Sequence, residues 1–206
     1  FPTRRSSDLV SFVENPVKFF FEKQLGVYFR DEDDRIEESE NFTLNGLDHY
    51  RISNELLHLE EAQFNDYFAK QRVKCIMPRG EFAEVCAQSI RADVLAFKEK
   101  IKDYSSPHSE SVDFVVETAQ GNIRLFGYME PLFGDENQII EWRFAKYKDR
   151  YRIRPWLYYL IQLATKENAL PPRIIAKDKD LTLKTIEKST ALEKLKMYVE
   201  AYLQSQ

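Results

Sequence analysis

Glycine is scarce in this chain, six in 206 residues, and the six never gather into one loop. A phosphate-cradling turn needs glycine so that backbone N–H groups can close on the ligand, so ATP binding by this segment is not expected. Cysteine is scarcer: Cys75 and Cys86 have no C-x-x-C spacing and no further partners, which favours reduced thiols and a cytoplasmic setting. The three histidines, His49, His58 and His108, are scattered without a mutual metal spacing. No serine or cysteine comes with a base and an orienting acid, which removes nucleophilic catalysis. No apolar run is long enough to cross a bilayer and no signal-peptide pattern opens the chain, so no membrane partner is expected. Positive charge is also in deficit. With a formal charge of −4 the chain as a whole is no basic nucleic-acid binder, and any DNA contact must come from a local patch.

What is present is apolar and aromatic. Hydrophobic residues make up 43% and aromatics 14%, which excludes disorder for the body of a chain whose length suits one domain. The opening run FPTRRSSDL is polar and unpatterned as far as Leu9. Residues 1–8 are therefore read as a non-native or disordered leader. The closing run YVEAYLQSQ stops inside an amphipathic helix. Both ends read as cut, leaving one truncated domain over residues 9–206.

Asn15-Pro16 opens a helix with a capping amide and proline at its first position, and Gly26 closes it. Val17, Phe19, Phe20, Phe21 and Leu25 ring most of its circumference, which predicts deep packing. Residues 31–40, DEDDRIEESE, hold seven acids against one base and read as a solvated linker rather than an acidic arm. A second helix is expected over residues 54–72 and a third over 80–104. The third carries a stripe of Phe82, Cys86, Ile90, Val94, Phe97 and Ile101. After the loop at residues 105–109 the period changes. Residues 112–118, 123–133 and 138–144 read as three strands of a meander, joined by turns at 120–122 and 134–137. Pro155 opens a helix through Ala164, a short strand follows at 174–176, another is possible over 181–186, and the last helix starts near Ser189. Helices, then a β-meander, then flanking helix, strand and helix predict an α/β (α+β) fold of restriction-endonuclease, PD-(D/E)xK type.

Two runs in the meander carry the chemistry. Gly127-Tyr128-Met129-Glu130 and Ile140-Glu141-Trp142-Arg143 occupy the slots where a metal-dependent nuclease places G-x-x-D and D/E-x-K. Such a nuclease converges carboxylates on a divalent cation that activates water. It also needs a compact ammonium near the phosphate. Arginine is planar, bulkier and never deprotonated, so the site keeps its outline without its chemistry.

The segment from Leu9 to Leu57, with Asn15-Pro16-Val17, a phenylalanine-rich helix, an acidic linker and Phe42-Thr43-Leu44-Asn45-Gly46-Leu47, resembles the C-terminal domain of the gamma (RecC) subunits of bacterial exodeoxyribonuclease V. Pro78-Arg79-Gly80-Glu81-Phe82-Ala83-Glu84 is similar to the same family. The resemblance implies a non-catalytic domain with a RecB-type nuclease fold, bacterial and cytoplasmic, acting in DNA end processing, strand guidance and subunit docking for double-strand break repair. It implies the beta (RecB) and alpha (RecD) subunits, DNA ends and single strands as partners, and no cofactor. Active relatives carry G-x-x-x-H, G-x-x-D and D-x-K. On this chain the slots fall at Glu84, Glu130, Glu141 and Arg143, and every one departs from the active pattern.

Each signal has a plainer reading. Glu84 shares a polar helix face with Glu81, Gln88 and Arg91. Glu130 precedes Pro131, which marks a bulge or strand edge. Glu141 and Arg143 share one strand face and form a structural pair as readily as a metal site. The run from Arg143 to Arg154 holds six basic residues and one acid with Phe144, Tyr147 and Tyr151 between them. Lys146, Lys148, Arg150, Arg152 and Arg154 are the expected DNA contacts, with the aromatics stacking on bases or packed in the core. Two rival readings stand beside this one. In an active magnesium nuclease, Glu84, Glu130 and Glu141 hold metal and Lys146 or Lys148 replaces the lysine. In a protein-interaction module, the basic run is buried or dispersed.

Overall fold

From His108 onward every second side chain turns inward, and a computed structural model describing residues 3–28, 44–104, 106–134 and 138–205 builds this alternation as a sheet. In strand β2 (His108–Thr118), Val112 and Val116 are buried between exposed neighbours. It pairs antiparallel with β3 (Gly121–Gly134), Thr118 opposite Gly121. Strand β4 (Gln138–Arg143) joins the far end of β3 through Phe133↔Ile140 and Gly134↔Ile139. Helix α6 (Ile153–Thr165) then crosses over to β5 (Leu170–Ala176), which runs parallel to β4, and β6 (Asp180–Thr182) closes that edge. A parallel pair needs such a crossover because no tight turn can reverse the chain twice. The architecture is mixed α/β.

The chain divides into two compact units, where one domain is expected. Unit 1 comprises Phe1–Arg30 and Asp103–Gln206; unit 2 is Asp31–Lys102. The acidic segment at residues 31–40, the run Phe42-Thr43 and most of the 134–137 turn lie outside the described residues.

In unit 1 the leader assignment for residues 1–8 needs correction. Thr3–Arg5 forms strand β1, parallel to Arg124–Phe126 of β3, and helix α1 (Ser6–Glu14) begins at once, with Ser6 and Leu9 fully buried. Polar residues at a sheet edge leave no apolar period to read. Helix α2 (Pro16–Gln24) starts as expected, with Asn15 Oδ1 accepting the Lys18 N–H at 3.0 Å. Its deep packing does not appear: Phe19 is buried while Val17, Phe20 and Leu25 are exposed. Phe19 reaches the aromatic cluster, 5.8 Å from Phe12 and 5.7 Å from Tyr202 of helix α7 (Lys188–Gln204). The core of unit 1 joins the inner face of β2 and β3 to Leu157, Tyr159, Leu160 and Ile161 of α6 and to Leu195 and Val199 of α7.

In unit 2 the helix expected over residues 54–72 is two helices, α3 (Gly46–Leu57) and α4 (Phe64–Val73). They are parted by a capping box in which Glu60 and Gln63 satisfy each other's backbone N–H groups, a helix start that overrides continuation. Helix α5 (Glu81–Ile101) matches its prediction, but the buried stripe is Ala83, Ala87, Ile90, Val94, Phe97 and Ile101. Phe82 is exposed and Cys86 half-buried, so the N-terminal half of the stripe is one residue out of phase.

Gly127, the first residue of the G-x-x-D-like slot, has φ of +131°, and a Cβ there would lie 2.9 Å from Ser6 Oγ. Gly127→Ala is expected to cost about 1–3 kcal/mol through combined backbone strain and overlap. An unchanged thermal midpoint would show that the approach of α1 to β3 is loose.

Candidate nucleic-acid interface

Strand β4 holds Glu141 between buried Ile140 and half-buried Trp142, whose indole N–H donates to the Tyr104 carbonyl at 3.2 Å. The Glu141 side chain is only 12% exposed. An ion in such a place needs partners, and two guanidinium groups supply them. Arg143 brings Nε and Nη2 each to 2.9 Å from Glu141 Oε1. Arg154, in the first turn of α6, sets its Nε 4.0 Å from Glu141 Oε2 and 3.8 Å from Glu14 Oε1 at the end of α1. Two carboxylates and two guanidiniums make a neutral cluster. A cation approaching Glu141 would have to displace Arg143 from Oε1 and would meet the Arg154 charge 4.0 Å from Oε2.

The other slot residues do not join it. Glu130 is exposed at a bulge, where the register shifts between His108↔Leu132 and Glu110↔Met129. Its backbone carbonyl accepts the Tyr158 hydroxyl at 3.4 Å, and burial pushes that phenol above its ordinary pKa. Glu84 stands in unit 2, exposed, where the Arg72 guanidinium at 2.8 Å holds its carboxyl below the usual range and Gln88 adds a bond at 3.4 Å. Among the described residues no three metal-ligating side chains converge. The ion pairs of Glu141 are with Arg143 and Arg154, while Lys146 and Lys148 are exposed. These residues do not fit a magnesium site.

Beyond β4 the basic run turns outward. Lys146, Lys148, Arg150 and Arg152 are exposed in the loop and 3-10 turn that lead into α6. Arg154, expected among the DNA contacts, instead faces the two glutamates. The loop is tied down by β5–β6: the Tyr147 N–H donates to Asp178 Oδ1 at 2.7 Å and the Lys177 N–H to the Ala145 carbonyl at 3.0 Å. Asp149 accepts the Tyr147 hydroxyl at 3.2 Å and pairs with Arg152 at 3.2 Å. The aromatic rings carry the chain's own cations. Lys177 lies 4.4 Å from the Phe144 ring centre, Lys179 4.5 Å from Tyr147, and Arg143 and Arg150 are 5.2 and 5.7 Å from Tyr151. The strands expected at 174–176 and 181–186 imply the β5–β6 turn, but no signal in the sequence places it beside the basic run, although Lys177-Asp178-Lys179-Asp180 stands out as a charged run.

Fold and site together define a mixed α/β domain with an arginine-closed acidic pair behind a cationic loop. The chain belongs to the RecC C-terminal domain family, whose model matches residues 3–206. It is 59% identical over 202 residues to the RecBCD enzyme subunit RecC of Haemophilus influenzae, covering 96% of this chain and 18% of that protein. The RecC subunit of Escherichia coli is 24% identical over 196 residues, covering 94% of this chain and 17% of that one. That of Buchnera aphidicola is 27% identical over 157 residues, 74% of this chain and 14% of that protein. The chain thus spans under a fifth of the length of these relatives. No described helix is long and apolar enough to cross a membrane.

Proposed function

We propose that this domain is a non-catalytic, nuclease-like part of a RecC-type subunit that guides separated DNA strands and docks neighbouring subunits of an exodeoxyribonuclease V complex. The observation that carries the reading is the closure of Glu141 by Arg143 and Arg154, which puts salt bridges where a nuclease needs open carboxylates. The order of hairpin, third strand, crossover helix and parallel strand supports the nuclease-like fold. The exposed cations at Lys146, Lys148, Arg150 and Arg152 support a strand contact, because lysine and arginine gain affinity by releasing counterions from phosphates. The relatives' names place them in the RecBCD enzyme, and by that kinship the partners are the beta and alpha subunits in a bacterial cytoplasm, with DNA ends. End processing for double-strand break repair is the setting this implies.

The test is binding of fluorescent single-stranded DNA to the 206-residue chain across a salt series. Affinity should fall steeply with salt and depend little on sequence. Reversing Lys148, Arg150 and Arg152 together to Glu should abolish binding and leave the circular dichroism unchanged, since all three are exposed. A triple variant that binds as well as the parent would assign the loop to protein docking.

A further inference from the structure

The rings interleaved in the basic run are already occupied. Lys179 lies over Tyr147, whose hydroxyl is bonded to Asp149, and Tyr151 is flanked by Arg143 and Arg150. Tyr147 and Tyr151 are half-buried. A cation on an aromatic face takes the place an unpaired base would need. Tyr147 also gathers charge from two parts of the chain. Asp149 links it to Arg152 of the loop, and the Tyr147–Asp178 bond and the Lys179 contact link it to the β5–β6 turn. The Asp178 carboxylate accepts the Tyr147 N–H through Oδ1, and beside it the turn presents Lys179 as an exposed cation next to the loop.

We propose that the strand-binding surface extends from Lys148, Arg150 and Arg152 onto Lys179, and that it grips the sugar-phosphate backbone without stacking any base. The inference rests on the strand-guiding reading above and specifies what that surface recognises. Tyr147 and Tyr151 are positioning residues that hold cations at a fixed spacing. Such a surface suits a strand that must slide, because phosphates repeat identically while stacking strength varies with the base.

The experiment compares two single strands of equal length, one of thymidine and one with tetrahydrofuran in place of every base, on the parent chain, Lys179→Glu and the Lys148/Arg150/Arg152 triple reversal. The expected result is equal affinity of the parent for both strands. Stacking on one ring would instead weaken the abasic strand about five- to a hundredfold. Lys179→Glu should weaken both strands by about fivefold and lower the salt slope by roughly one phosphate contact, about 0.7 for a single strand. Binding that fails with the triple reversal but is untouched by Lys179→Glu, or that needs the bases, overturns this inference and spares the strand-guiding reading. Absence of strand binding by the parent, or binding indifferent to the triple reversal, overturns both and leaves an acidic protein surface as the occupant.

Discussion

Glu141→Ala should lower the stability of unit 1 by about 2–3 kcal/mol, and neither the parent chain nor the variant should cut linear or single-stranded DNA in magnesium or manganese. The loss of stability follows from what is left behind. Arg143 and Arg154 are only 35% and 24% exposed, and without the carboxylate Arg143 loses that ion pair while Arg154 keeps Glu14 at 3.8 Å. Glu141→Gln keeps the shape and one acceptor, so it should lose about half as much. Arg143→Lys exchanges a fork for a point charge, gives up one of two contacts with Oε1 and should not produce cleavage. Both tryptophans, Trp142 and Trp156, belong to unit 1, so the fluorescence transition in urea follows that unit separately. A shift under about 0.5 kcal/mol would class the cluster with exposed ion pairs. Cleavage by the parent that vanishes in Glu141→Ala would make the site a working one.

Leu160→Ala should cost more, about 3–4 kcal/mol, a large part of the 5–15 kcal/mol that stabilises an ordinary domain. Leu160 is fully buried, as are Leu157, Tyr159 and Ile161 around it, and α6 meets both β4 and β5 where the chain crosses between them. With neighbours on every side the void cannot collapse, and cavity cost adds to the lost transfer energy. The tryptophan transition should move while unit 2, followed by hydrogen exchange along α5, keeps its protection. A loss below about 1 kcal/mol would mean that α6 does not centre the core.

The sheet was legible because alternation is local: Val112 and Val116, then Ile123, Leu125 and Met129, declare their inward face two residues at a time. The Glu141–Arg143 pair was legible for the same reason. What no local period carries is which distant element covers a face. Arg154 reaches Glu141 from α6 and is met by Glu14 from α1, partners no local period shows, so Arg154 read as one more exposed base of a basic run. The break between α3 and α4 had its signal in Glu60 and Gln63, but a capping box lacking serine or threonine is easily passed over inside a helical pattern. Phe82 drew the stripe of α5 toward itself by its size, whereas small Ala83 and Ala87 are the residues buried. The β5–β6 turn meets the basic loop through the Tyr147–Asp178 and Lys177–Ala145 bonds and the Lys179 contact with Tyr147, and the first of these already joins residues 31 apart in sequence.

Unit 1 is assembled from two stretches with residues 31–102 spliced between them, and Phe12 and Phe19 meet Tyr202 near the other end, at 5.6 and 5.7 Å. During synthesis these partners leave the ribosome far apart in time. At 5–20 residues per second the first helices wait on the order of ten to forty seconds for α7. Unit 2 is contiguous and has no such wait. The nascent chain therefore carries a finished helical unit and an unfinished sheet unit together, with Phe19 uncovered until α7 has emerged. Truncations that remove α7 should expose that ring permanently and drive aggregation rather than yield a smaller folded domain.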